Sequence, residues 1–211
     1  MTAEDARGTP QPRPQAVLFD LLMAVMNSPA TWAAAAGDPE LGMAWRDAVT
    51  QLMRVADRYI PYDDLVADAG VTLHDPPLSV DRLHAEWGRM RPWPDASEVT
   101  ILSLPYAFVT NCSVVLAREA SMASSLHPRF TLSAEEAGRF KPSPDVYRSA
   151  CDRIGSAPER TLFVAGAAYD AEGALAAGLR AVLVRRRPSP PELSVEIPVV
   201  SSLGAALRDA L

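Results

Sequence analysis

Residues 141–184 read KPSPDVYRSACDRIGSAPERTLFVAGAAYDAEGALAAGLRAVLV, and the order of elements written in them decides the fold. Lys141-Pro-Ser-Pro-Asp-Val-Tyr147 opens a helix. Ser143 is placed to cap its N-terminus, Pro144 takes the first helical position, Asp145 complements the helix dipole and Gly155 ends the segment. Val146, Tyr147, Ala150, Cys151 and Ile154 recur at helical spacing and make its buried face. Thr161-Leu-Phe-Val-Ala165 is a short apolar run of the kind that forms a buried parallel strand. A second helix follows over 171–177, with Asp170 at its N-cap, and Ala181-Val-Leu-Val184 is a second strand. Helix, strand, helix and strand in this order predict a parallel sheet covered on both faces.

Working outward, the same apolar signature occurs in Ala16-Val17-Leu18-Phe19, ending at Asp20, and in Tyr106-Ala-Phe-Val-Thr110. Arg129-Phe-Thr-Leu132 is a weaker instance. About 80 residues without a strand signal separate the first two runs. They carry amphipathic stretches near 30–36, 42–59, 63–69 and 79–90, punctuated by Asp75-Pro76-Pro77 and Arg91-Pro-Trp-Pro94. Such a block is too long for a loop and is expected to be an inserted helical cap. Residues 1–14, polar and proline-rich, predict a disordered tail. The expected organisation is therefore a tail (1–14), a Rossmann-like α/β core (15–26 and 97–211) and a helical cap (27–96).

Composition narrows the function. The 211 residues carry a net charge of −6, which gives no electrostatic footprint for nucleic acid, and no apolar run is long enough to span a bilayer. Two cysteines, Cys112 and Cys151, are too few and too separated for a zinc site or a disulfide framework, so a reduced, cytoplasmic setting is expected. Arg185-Arg186-Arg187 reads as an ordinary solvated strand end. Of the 20 basic residues, 19 are arginine and one, Lys141, is lysine. A coding bias toward arginine explains the 19; it does not explain which lysine was kept.

In open parallel sheets, ligands bind beyond the carboxyl ends of the strands. The residues that follow the apolar runs are Asp20, Thr110-Asn111 and Ala165-Gly166, with Lys141 before one helix and Asp170 after a strand. A carboxylate, a hydroxyl, an amide, a cation and a second acid would meet in one crevice. That is a set able to attack an electrophile and stabilise the product.

In that order the motifs hhhhD, hhhTN, KPxPxxY and hhhxGxxxDxxGAxxAG resemble the haloacid dehalogenase (HAD) superfamily of hydrolases, over residues 15–26 and 97–187. The resemblance implies a Rossmann-like core of the HAD type with an inserted cap. It places Asp20 as nucleophile, Thr110 and Asn111 in the second motif, Lys141 in the third and Asp170 in the fourth. Related phosphatases hold Mg²⁺ and use a second Asp two residues after the nucleophile. That position here is Leu22, and the fourth motif reads Ala165-Gly166-Ala167, so phosphatase chemistry is disfavoured.

The Lys141-to-Tyr147 spacing is more similar to the L-2-haloacid dehalogenases, which need no metal or other cofactor. In such an enzyme Asp20 would displace a leaving group from the carbon of a small organic acid to form an ester, with Lys141 holding the nucleophile charged. Water positioned by Asp170 would cleave the ester. Thr110, Asn111 and Tyr147 would contact substrate, and an arginine of the cap would bind the departing anion. Arg54 is the candidate, with Arg46 and Arg58 as alternatives. The family implies a small-molecule substrate, no nucleic-acid or membrane partner, and a homodimer. The departures are Met23 and Ala24 where the nucleophile loop has Gly-Thr, and Ala165 and Ala167 in the fourth motif. They leave open a larger, more apolar substrate, or a protein that has lost hydrolysis and binds or transforms an apolar small molecule; a Mg²⁺-dependent phosphatase with a reduced metal site is the remaining alternative.

Overall fold

Ala16–Asp20 is buried along its whole length, as a strand with neighbours on both sides and cover on both faces must be. It is β1, at the interior of a six-stranded sheet in a computed structural model that describes residues 13–187 and 192–208. The elements follow in the order β1, α1 (Ser28–Ala36), α2 (Pro39–Val55), α3 (Tyr62–Leu73), α4 (Val80–Trp87), β2 (Tyr106–Thr110), α5 (Val114–Ala123), β3 (Thr131–Ser133), α6 (Ala134–Ala137), α7 (Pro144–Ile154), β4 (Thr161–Ala165), α8 (Ala168–Ala176), β5 (Arg180–Val184), β6 (Val199–Val200) and α9 (Leu203–Leu207). The sheet order is β3-β2-β1-β4-β5-β6, and every pairing is parallel. This is the α/β architecture the alternating pattern predicts.

Alternation along β1 divides the core in two. Val17 and Phe19 pack on one face with residues of α5, α9 and the inserted helices, while Ala16 and Leu18 pack on the other with α7 and α8. All five residues read as the buried face of α7 lie in the second cluster. The helices α1–α4 lie between β1 and β2 in sequence and are knitted by tryptophans. Trp32 and Trp45 meet edge to face at 5.0 Å, and Trp45 Nε1 donates to the Val66 carbonyl at 2.9 Å. No described helix is long and apolar enough to cross a membrane.

Several local expectations need revision. Ser143 sits at the N-cap of α7 but its side chain makes no capping bond. The helix after β4 starts at Ala168 with Ala167 at its cap, so Asp170 lies inside the first turn rather than capping it. The weak strand near 129–132 is β3, shifted to 131–133, and the two-residue β6 had no apolar run to announce it. The tail expected over residues 1–14 falls, through residue 12, outside the described residues.

Candidate active site

Parallel pairing in register brings the carboxyl ends of β1, β2 and β4 level, and the residues at those ends therefore meet. Asp20 pairs across from Val109 at the end of β1, and Thr110 and Asn111 follow at the end of β2. Beyond Asp20 the chain makes one π-helical turn, Leu21–Val25. The Asp20 side chain caps it, with Oδ2 accepting from the Met23 backbone N–H at 3.2 Å.

Lys141 reaches the same point from the loop before α7 and is 1 % exposed. Its ammonium donates to Asp20 Oδ1 at 3.0 Å, to Asp170 Oδ2 at 2.6 Å and to the Val109 carbonyl at 3.1 Å. Those three bonds use all three of its N–H donors. Burial opposes the ammonium charge, but the carboxylates of Asp170 and Asp20 outweigh it and hold the Lys141 pKa above its ordinary value. Asn111 fixes the backbone that carries this lysine. Its Oδ1 accepts from the Lys141 N–H at 2.7 Å and its Nδ2 donates to the Lys141 carbonyl at 2.9 Å.

Asp170 is 1 % exposed, and both its oxygens are engaged. Oδ2 takes the Lys141 bond and Oδ1 accepts from the Tyr147 hydroxyl at 2.6 Å. Burial raises its carboxyl to about 6, with Lys141 and the Tyr147 hydrogen bond pulling the other way. The approach of α8 to the loop before α7 that permits this contact depends on Gly173. A Cβ there would stand 2.5 Å from Pro142 Cβ and 2.8 Å from the Tyr147 hydroxyl.

The turn after Asp20, with Met23 and Ala24 in it, is supported from outside itself. Gly166 at the end of β4 leaves room for it, since a Cβ there would lie 2.4 Å from Met23. Trp93 Nε1 donates to the Met23 carbonyl at 2.9 Å, and the Trp93 N–H donates to the Val25 carbonyl at 2.9 Å. Arg186 donates to the Ala24 carbonyl through Nε and Nη2, at 3.2 and 2.7 Å, grips both oxygens of Asp95, and lies 5.0 Å over the Trp93 ring. The strand end read as solvated thus contains a part-buried structural arginine.

Above Asp20 is a small chamber of about 30 Å³, lined by Asp20, Thr110, Asn111, Lys141, Trp32, Arg46, Tyr169 and neighbours from α1–α3. It adjoins an open cleft of about 440 Å³, with Met23, Arg46, Thr50 and Tyr169 lining both. Asp20, Thr110, Asn111 and Lys141 are brought together at the chamber. Tyr147 and Asp170 are not on its wall; they stand behind Lys141, so Tyr147 is placed to hold Asp170 rather than a ligand. Arg54 lines only the outer cleft, with its guanidinium 5.8 Å over the Tyr169 ring, and Arg58 is exposed beyond the end of α2. Of the three arginines, Arg46 is the one on the chamber wall. Tyr169 was not anticipated; burial and the adjacent Asp170 charge raise its hydroxyl to about 12.

The donor set is a poor one for a divalent ion. The Lys141 ammonium lies between the two carboxylates a metal would need, and no group of three acidic, histidine or cysteine side chains arranged to hold a metal occurs among the described residues.

A family model described as HAD-hydrolase-like matches residues 139–194. The chain is 31 % identical over 190 residues to (S)-2-haloacid dehalogenase 4A of Burkholderia cepacia, covering 83 % of this chain and 81 % of that protein. It is 31 % identical over 108 residues, about half of each chain, to hexitol phosphatase A of Escherichia coli strain K12. Among solved structures, the L-2-haloacid dehalogenase of Xanthobacter autotrophicus with chloropropionic acid covalently bound superposes with a TM-score of 0.79 at 21 % identity, over 92 % of this chain and 97 % of that one.

Proposed function

From its membership of the HAD hydrolases, in the 2-haloacid dehalogenase-like branch, we propose that this chain hydrolyses a carbon–halogen bond of a small organic acid through an ester on Asp20, without a metal. The observation that carries the reading is the Lys141 ammonium, 3.0 Å from Asp20 and 2.6 Å from Asp170, in the place a cation would otherwise fill. Asp20 lines the chamber, and each of its oxygens takes one hydrogen bond and keeps a lone pair with which to attack. One oxygen displaces the leaving group from the α-carbon, the C–O bond forming as the carbon–halogen bond breaks. The halide departs with the bonding electron pair toward the Arg46 guanidinium. Water then attacks the Asp20 carbonyl carbon, and the hydroxy acid leaves with Asp20 restored as carboxylate. The one net proton released passes by way of Lys141 to Asp170, whose carboxyl burial lifts to about 6, and from there to solvent. The helices of residues 27–96 serve as the cap that closes over this site.

The test supplies 2-chloropropionate and a generic phosphomonoester, each with Mg²⁺ or with chelator. Chloride release that survives chelation, with no phosphate release, is the expected result. Phosphate release requiring Mg²⁺ would overturn the proposal in favour of a phosphatase.

The same cluster sets a pH dependence. Protonating Asp170 removes one of the two charges that hold Lys141, so chloride release should fall as pH drops through about 6. The Tyr147 hydrogen bond favours the charged form of Asp170. Tyr147→Phe should therefore move the acid limb of the pH–rate profile to higher pH, and an unmoved limb would separate Asp170 from the rate.

A further inference from the structure

The chamber over Asp20 has room for about two water molecules. A reacting carbon and its leaving atom fit such a space; the rest of the substrate has to pass between Met23, Arg46, Thr50 and Tyr169 into the adjoining cleft of about 440 Å³. Apolar and polar surface share the wall of that cleft about equally, and its charged side chains are mainly basic. Arg46, Arg54, Arg185, Arg186 and Arg187 line it against two acids, Asp47 and Glu192, in a chain whose net charge is −6.

The five arginines are not equivalent. Arg186 is committed to Asp95 and the Ala24 carbonyl. Arg187 Nη2 holds both oxygens of Asp47, at 2.7 and 2.9 Å, and Arg46 Nη1 lies 3.2 Å from the same carboxylate. The cleft therefore already receives one carboxylate of the protein's own between two guanidinium groups. Arg54 and Arg185 are exposed and have no carboxylate partner among the described residues. Arg54 is steadied over the Tyr169 ring at the mouth of the chamber, and Arg185 lines the cleft just beyond β5, where it also borders a pocket formed with Val199, Val200, Ser201, Ala205 and Arg208. Guanidinium groups with free donors beside a cleft are receptors for carboxylates.

We infer that the cleft is a second subsite which binds a distal carboxylate through Arg54 and Arg185, so that the preferred substrate is an extended dicarboxylic acid halogenated next to one of its carboxyl groups. This rests on Asp20 being the reacting carboxylate, and the experiment separates the two ideas. Binding of adipate and of hexanoate, equal in carbon number, is measured calorimetrically at low ionic strength on Asp20→Asn. Bromide release from 2-bromoadipate and 2-bromohexanoate is measured on the otherwise unaltered chain. Adipate should bind at least about tenfold tighter than hexanoate, the kcat/KM ratio should favour 2-bromoadipate to a similar extent, and both preferences should collapse in Arg54→Gln/Arg185→Gln. If that double variant does not fold, Arg185→Gln alone gives a partial loss of the same preference. Equal binding of the two acids, or a preference that survives the double variant, overturns the subsite even if Asp20-dependent bromide release is seen. A preference for adipate that the arginines control, without bromide release from either acid, upholds the subsite and overturns the reading of Asp20.

Discussion

Asp20→Asn is expected to leave the fold intact and to lower halide release by about 10⁴-fold or more, the scale on which enzymes that form covalent intermediates lose activity with their nucleophile. The substituted side chain has the same shape and can still accept from the Met23 N–H, so the turn it caps should survive. Lys141 keeps its 2.6 Å bond to Asp170, and no buried charge is orphaned. A thermal melt close to that of the parent, together with a chloride assay at background, is the outcome that supports an ester at this position. A variant with more than about 1 % of the parent rate would show that the carboxylate is not the attacking group.

Lys141 should be the position most costly to empty. Lys141→Met leaves two carboxylates buried and facing each other without their shared cation, a loss expected to reach about 3–5 kcal/mol of stability and to be visible in denaturant unfolding. Lys141→Arg isolates the geometry. It keeps the charge and follows the arginine preference of the rest of the chain, but three acceptors at 2.6–3.1 Å converge on one nitrogen, and a planar fork spreads its donors over three. The Arg variant is expected to fold and to lose at least about tenfold in kcat. Full activity would return the lone lysine to an accident of composition.

β1, β2, β4 and β5 were legible because each is a short apolar run between turn signals, and burial on both faces leaves no other pattern for β1 or β4. Asp20, Thr110 and Asn111 could be found because ends of parallel strands in register must meet, and Lys141, in the loop before α7, by its place in the KPxPxxY motif as the chain's lone lysine. What local sequence did not carry was the third dimension above the sheet. Arg46 and Arg54 are eight residues apart on α2, about 12 Å along the helix axis. Periodicity puts both on the side that could face the core, while the placement of α2 over the sheet decides which one stands at the chamber. Tyr169 had no repeat or cap to mark it, and its importance comes only from its place between two cavities. Tyr147 was rightly seen on the buried face of α7, but whether its hydroxyl met substrate or Asp170 depended on Gly173 allowing α8 close.

Arg186 carries a consequence for how the protein comes into being. Asp95, which it grips, also accepts the Leu203 N–H at the start of α9, so one carboxylate joins the loop after Asp20, the segment returning from the inserted helices and the C-terminal helix. The turn after Asp20 is synthesised well before the arginine that fastens its Ala24 carbonyl, which lies 162 residues later. A nascent chain that has already emerged with Asp20, Lys141 and Asp170 still lacks the Arg186 contact to Ala24. The brace on the turn after Asp20 is complete only when Arg186, beyond β5, and α9 have been made and docked.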